Sequence, residues 1–152
     1  GMTGMGIHLT DAYLHLVGPV ESVHALCVDR VLGRASGDTI SVLLKFENGA
    51  TGYIATTLKT AFLWHIRVLG SEGWVESYDE NELTVCKLGG NPEKRSFTPV
   101  DSVLIEMEAF ADAIEGVAPY PVPQEHILQN VSVLEAVFEA AKTGETVKVK
   151  SA

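Results

Sequence analysis

The sequence predicts an α+β domain with a largely antiparallel, open sheet of about six to eight strands and helices on one face. Two observations predict this fold: short strand-like segments run between helical segments, and turn signals join one strand to the next. The chain has 152 residues, of which 46% are hydrophobic, which is enough for one buried core. We therefore expect a single domain over residues 2–152, with Gly1 as a tag remnant.

The net charge of the chain argues against two classes of function. Twenty acidic and eleven basic residues give a net charge of −9, which argues against nucleic-acid binding and against a polybasic membrane anchor. The start of the sequence lacks a signal-peptide pattern, and no apolar run approaches the ~18 residues that span a membrane. Cys27 and Cys86 are far apart and form no C-x-x-C motif, so we expect two buried thiols without a disulfide, and a cytoplasmic location.

The first helix is expected from about Gly6 to Val17, where Gly18-Pro19 ends it. Four apolar residues recur at helical spacing and are predicted to face the core: Leu9, Tyr13, Leu16 and Val17. A different face of the same helix carries three polar residues at i, i+3 and i+7, namely His8, Asp11 and His15.

The β-rich stretch is predicted to contain strands at residues 22–32, 38–47, 50–58, 63–69, 74–78, 82–88 and 95–98. In the second strand, apolar residues alternate on one face: Ile40, Val42, Leu44 and Phe46. Asn48-Gly49 predicts a tight hairpin to the third strand. The opposite face carries small, hydroxyl and apolar residues such as Ser41 and Leu43, which favours burial in a subunit interface. The alternative is a sheet with helices on both faces.

Two helices and a strand close the chain. Asp101 or Ser102 caps a helix that ends at Gly116, and its predicted core stripe is Val103, Met107, Phe110 and Ile114. A stiff proline-rich connector, residues 119–123, leads to the last helix, which begins at Pro123 or Gln124 and ends at Gly144. Its predicted core stripe is Ile127, Val131, Leu134, Phe138 and Ala141. Residues 146–150 form the final strand.

Three segments carry a family resemblance. Residues 6–11, GIHLTD, match a G-x-H-x-x-D motif at a helix start; residues 68–76, VLGSEGWVE, match a strand–G-[ST]-x-G–strand turn. Residues 130–147, NVSVLEAVFEAAKTGETV, match a closing helix followed by a T-G-x-x-V strand. In this order the chain resembles the C-terminal domain of the Gfo/Idh/MocA oxidoreductases, the family of glucose–fructose oxidoreductase and inositol dehydrogenase. The resemblance implies a C-terminal domain like that of glyceraldehyde-3-phosphate dehydrogenase.

The resemblance also implies a cofactor that this chain does not hold. The family couples this domain to a Rossmann domain that binds NAD or NADP, and no Rossmann domain is expected here. Gly4-Met5-Gly6 is not a G-x-G-x-x-G fingerprint, because no strand precedes it and the third glycine is missing. The family's E-K-P lysine motif is absent too, since Glu93-Lys94 is followed by arginine. We expect NAD or NADP only where a Rossmann domain is supplied.

The resemblance assigns His8 as the catalytic residue that accepts or relays the proton of a substrate hydroxyl. It places Asp11 and His126 on the substrate side, whereas Gly4 stands where the family often has a further aspartate. Asp11 could instead be a first-turn acid favoured by the helix dipole. A metal held by His8, Asp11 and His15 is disfavoured, because one helix face supplies too few ligands.

His65 has two interpretations: it points into the substrate pocket, or it forms a surface pair near Trp64 and Arg67. Two functional classes also stay open. In the first, the chain is the substrate-binding and dimerisation domain of an NAD(P)-dependent sugar or polyol dehydrogenase. It would form a homodimer through the open sheet face and work with a separate nucleotide-binding domain. In the second, it is a stand-alone, non-catalytic binding or assembly module. Catalysis by this chain alone is not expected, since hydride transfer needs a positioned nicotinamide.

Overall fold

The computed structural model describes residues 1–34 and 37–150. Its helices are α1 (Ile7–Leu16), α2 (Ser102–Glu115) and α3 (Gln124–Thr143), and a π-helical turn, Met2–Gly6, leads into α1. The strands are β1 (Val20–Val28), β2 (Thr39–Phe46), β3 (Thr51–Thr57), β4 (Ile66–Gly70), β5 (Gly73–Ser77), β6 (Glu82–Lys87), β7 (Glu93–Ser96) and β8 (Val147–Lys148). None of these helices is long and apolar enough to cross a membrane.

The described residues divide into two compact units. The first, which we call the terminal unit, comprises residues 1–60 and those from 122 onward. The second, the inserted unit, comprises residues 61–121. Each unit contains one four-stranded antiparallel sheet. The α+β fold with eight largely antiparallel strands is therefore confirmed, with the difference that the strands form two sheets.

The sheet of the terminal unit has the order β3-β2-β1-β8. Strand β2 alternates as its sequence predicts, because Val42 and Leu44 are buried while Leu43 between them is exposed. The predicted Asn48-Gly49 hairpin joins β2 to β3: the Phe46 N–H donates to the Ala50 carbonyl at 2.9 Å, and Gly49 takes a φ of +87°. One face of this sheet is buried with α3, and the other, which we call the outer face, is open.

Helix α3 meets the sheet with a different face from the one predicted. Its buried residues are Val133, Ala136, Val137 and Ala140. Of the predicted stripe, Ile127, Val131 and Phe138 are exposed, while Leu134 and Ala141 are half-buried against the core. The helix has two apolar stripes, and the one with small side chains lies against β1. Alanine at two of these four positions lets the helix backbone approach the sheet closely, which the larger stripe does not allow.

Helix α1 buries Thr10 and Leu14 and half-buries Leu9, Tyr13 and Val17. Leu16 was predicted to face the core but is exposed. The helix begins at Ile7, within one residue of the predicted start, and the residues before it form the π-helical turn. The Thr10 hydroxyl donates to the Gly6 carbonyl at 3.1 Å and so satisfies a buried acceptor at this junction.

Strand β1 ends at Val28, four residues earlier than predicted, because the following segment is bound to Asp38. The backbone N–H groups of Arg30, Val31 and Leu32 donate to the Asp38 carboxylate at 2.7–3.1 Å. Burial alone raises the pKa of Asp38, but these bonds and one from the Thr39 hydroxyl outweigh it and lower the pKa from 3.8 to about 2.

The inserted unit has a sheet in which each strand pairs with the next, in the order β4-β5-β6-β7. Helix α2 is capped by the Asp101 carboxylate, which accepts the Leu104 N–H at 3.0 Å, and it ends at Gly116 as predicted. Its predicted core stripe is not buried: Val103, Met107, Phe110 and Ile114 are all exposed. Cys27 and Cys86 are not in disulfide bonds, but each is only half-buried, where buried thiols were predicted.

Candidate functional site

The polar face of α1 carries the residues that the sequence pointed to. His8, Asp11 and His15 are all exposed, because Thr10 and Leu14 occupy the helix positions that turn toward the core. No three His, Cys, Asp or Glu side chains within residues 1–34 and 37–150 converge as ligands of a metal ion would. The face is therefore an accessible polar surface with an imidazole at its beginning.

The first turns of α3 lie against this helix. The rings of His126 and His15 stack, with centroids 6.3 Å apart and an angle of 11° between their planes. One turn further along α3, the Asn130 Nδ2 donates to the Ile7 carbonyl at 3.5 Å. The two helices run antiparallel here, since the start of α1 meets Asn130 and its end meets His126. The structure thus brings His126 to His15 rather than to His8, and it ties Asn130 to the residue before His8.

Two polar atoms at this junction are buried and have no hydrogen-bond partner among the described residues: His126 Nε2 and Asn130 Oδ1. Sequence reasoning missed Asn130, which was noted only as the first residue of the closing-helix motif. The available signal was its position four residues after His126, which places both side chains on one face of a helix. Buried polar groups without partners are rare, so this pair requires an explanation.

The glycines before α1 do not form a dinucleotide site. Gly4 and Gly6 lie in the π-helical turn rather than in a loop after a strand. A Cβ at Gly6 would lie 2.5 Å from the Met2 Sδ, so a larger residue at this position would require the Met2 side chain to move. These two glycines therefore do not form the turn that holds the pyrophosphate of NAD or NADP.

His65 belongs to the inserted unit and is held in a charged cluster. Its Nε2 lies 3.4 Å from the Glu76 Oε2, and its ring stacks on Tyr78 with centroids 4.4 Å apart. Arg67 forms an ion pair with the same carboxylate. The hydrogen bond from Arg67 lowers the pKa of Glu76, and this effect outweighs burial, which raises it. This arrangement corresponds to the surface-pair interpretation of His65.

Comparison with known proteins gives one family match and several relatives. The model of the GFO/IDH/MocA C-terminal domain matches residues 1–76. D-xylose 1-dehydrogenase (NADP(+)) 2 of Haloferax volcanii is 27% identical over 95% of this chain and 46% of its own length.

Solved structures of longer relatives share the fold. Aldose-aldose oxidoreductase from Caulobacter crescentus, complexed with glycerol, is 27% identical with a TM-score of 0.79, over 94% of this chain and 45% of its own. WlbA dehydrogenase from Bordetella pertussis, in complex with NADH and UDP-GlcNAcA, is 21% identical with a TM-score of 0.78, over 98% of this chain and 44% of its own. The chain thus spans about half the length of the relatives it matches.

Proposed function

Because the chain belongs to the GFO/IDH/MocA family as a C-terminal domain, we propose that it is the substrate-binding and dimerising half of an NAD(P)-dependent sugar or polyol dehydrogenase. The names of the relatives support the substrate class, since one oxidises D-xylose with NADP(+) and another acts on aldoses. The nicotinamide and its nucleotide-binding domain come from outside the residues described here.

The observation that carries the proposal is the position of His8. Its imidazole is exposed at the start of α1, where the Asn130 and Thr10 side chains donate to the carbonyls of Ile7 and Gly6. An accessible imidazole on a helix suits a group that takes the proton from a substrate hydroxyl as hydride leaves the same carbon. Asp11, exposed one turn later, would accept a hydrogen bond from a sugar hydroxyl. His126, on the neighbouring helix α3, would also bind the substrate.

The decisive activity experiment replaces His8 in the native protein. We expect His8→Gln to reduce the rate of D-xylose oxidation with NADP(+) by about 100-fold or more, because a general base contributes about 10²–10⁴-fold. His65→Gln, in the inserted unit, is the matched control and should keep the rate. If His8→Gln is as active as the control, His8 is not the proton acceptor.

The native mass separates this proposal from the stand-alone module. An antibody against this domain should detect a protein at least twice the calculated 16.3 kDa in the source cells. A band near 16.3 kDa, with no detectable binding of NADH, would instead support a non-catalytic binding or assembly module.

The dimer proposal rests on the outer face of the sheet in the terminal unit. Leu26, Leu43 and Tyr53 are each more than half exposed there, on three neighbouring strands. Large apolar side chains that are exposed on neighbouring strands of one sheet face are typical of an interface. We propose that a second copy of the chain covers it.

Leu43→Glu tests the dimer, because a buried carboxylate without a partner is costly in an apolar interface. We expect this variant to be a monomer by size-exclusion chromatography with light scattering. Leu16→Glu is the matched control, since Leu16 is also 56% exposed but lies on α1, and it should stay dimeric. A monomeric wild-type protein would refute the interface.

A further inference from the structure

The junction of α1 and α3 contains two buried polar atoms that lack hydrogen-bond partners within the part of the chain that the structure describes. His126 Nε2 and Asn130 Oδ1 are buried and have no partner among the described residues. A buried polar atom without a partner costs about 1–3 kcal/mol, so two on one helix face favour a site that a ligand completes.

The orientation of the Asn130 amide follows from its neighbour. The Ile7 carbonyl can only accept a hydrogen bond, so the amide nitrogen must face it, and the amide oxygen is the atom left over. Asn130 Oδ1 therefore needs a donor. His126 Nε2, four residues earlier on the same face, can donate or accept according to its tautomer.

These two atoms select the chemical class of the ligand. A hydroxyl group both donates and accepts, so one hydroxyl or a vicinal pair satisfies both atoms. A carboxylate has no proton to donate to the amide oxygen, and a metal ion would find only two ligands here. We propose that His126 and Asn130 form a hydroxyl-binding pair that holds a sugar or polyol. This inference rests on the proposed function and adds Asn130 to its substrate-binding residues.

His15 lies beside the pair on the accessible side of α1. Its ring stacks on the His126 ring with centroids 6.3 Å apart, and its side chain is exposed, whereas the buried residues of this helix are Thr10 and Leu14. A ligand can therefore approach the pair from the His15 side without disturbing the buried core.

The test is the affinity of the native protein for D-xylose, measured by calorimetric titration in the absence of cofactor. We expect Asn130→Ala and His126→Phe each to raise the Kd by about tenfold, which corresponds to the loss of one hydrogen bond. Gln129→Ala, between them on α3, is the matched control and should leave the Kd unchanged. NMR signals of the His126 ring should shift on titration in the wild-type protein.

The outcomes separate this inference from the proposed function. If D-xylose binds and both variants keep the wild-type Kd, the hydroxyl-binding pair is refuted while the proposed function stands. If neither D-xylose, glycerol nor myo-inositol binds to the wild-type protein, both fail. Asn130→Ala also removes the bond to Ile7, so its folding is checked by circular dichroism. His126→Phe keeps a ring against His15 and decides the question if Asn130→Ala does not fold.

Discussion

The turn between β4 and β5 contains a glycine at a position where any side chain is destabilising. Gly73 pairs with Gly70 across the hairpin and has a φ of +149°, which L-residues rarely adopt. A Cβ at this position would lie 2.1 Å from the Cys86 carbonyl oxygen and 2.9 Å from the Lys87 Cα, both of them backbone atoms. The substitution Gly73→Ala therefore combines backbone strain with an overlap that no side-chain rotation relieves.

Each of these two effects costs about 1–3 kcal/mol, so we expect Gly73→Ala to lower the free energy of unfolding by about 3 kcal/mol or more. Two other glycines of the inserted unit separate the contributions. Gly89→Ala, at a φ of +75° with open space around it, should cost about 1 kcal/mol through strain alone. Gly70→Ala meets only an ordinary contact and should change stability by less than about 0.5 kcal/mol.

The assay is urea unfolding of the native protein, followed by tryptophan fluorescence. Both tryptophans of the chain, Trp64 and Trp74, lie in the inserted unit and report on its sheet. A free energy of unfolding for Gly73→Ala within about 1 kcal/mol of that for Gly70→Ala would refute the reasoning. The close approach of the Cys86 and Lys87 backbone would then not be the reason for the last glycine of the G-[ST]-x-G turn.

Two further predictions concern the terminal unit. Because Asp38 has a pKa of about 2 in the folded protein, below its ordinary 3.8, its stabilising effect is complete above about pH 4 and is lost as the pH falls toward 2. Asp38→Asn should lower the melting temperature at neutral pH. The melting temperature of the variant should also fall less than that of the wild type between about pH 4 and pH 2. If both proteins show the same fall, Asp38 does not have the lowered pKa. Val137→Ala, at a fully buried position of α3, should cost about 2 kcal/mol, against less than 1 kcal/mol for exposed Val131→Ala. If the two variants lose equal free energy of unfolding in urea, the helix face predicted from sequence, which includes Val131, also packs in the core.

Local signals in the sequence were sufficient for the strands and the helix ends. The alternation in β2 and the Asn48-Gly49 turn determined a hairpin, and Asp101 and Gly116 marked the two ends of α2. These features depend on neighbours within a few residues, so they can be predicted without knowledge of the fold.

The helix faces could not be predicted in the same way. Helix α3 has two apolar stripes, and the choice between Val137 and Val131 depends on how closely β1 approaches, which is a tertiary property. For the same reason the stacking of His126 on His15 was not foreseen, because the two residues are brought together only when α3 packs on α1. Asn130 was overlooked because its importance arises from that packing.

The order of the elements along the chain has a consequence for folding kinetics. The terminal unit is completed only when α3 and β8 return to β1, across an intervening segment of 61 residues. Closing a flexible loop of that length costs about 4 kcal/mol of chain entropy. The inserted unit, by contrast, pairs each strand with the next, and such local contacts form fast. We expect the inserted unit to fold first and so to shorten the loop that the terminal unit must close. Early formation of its hairpins is therefore a condition for rapid assembly of the α1–α3 junction.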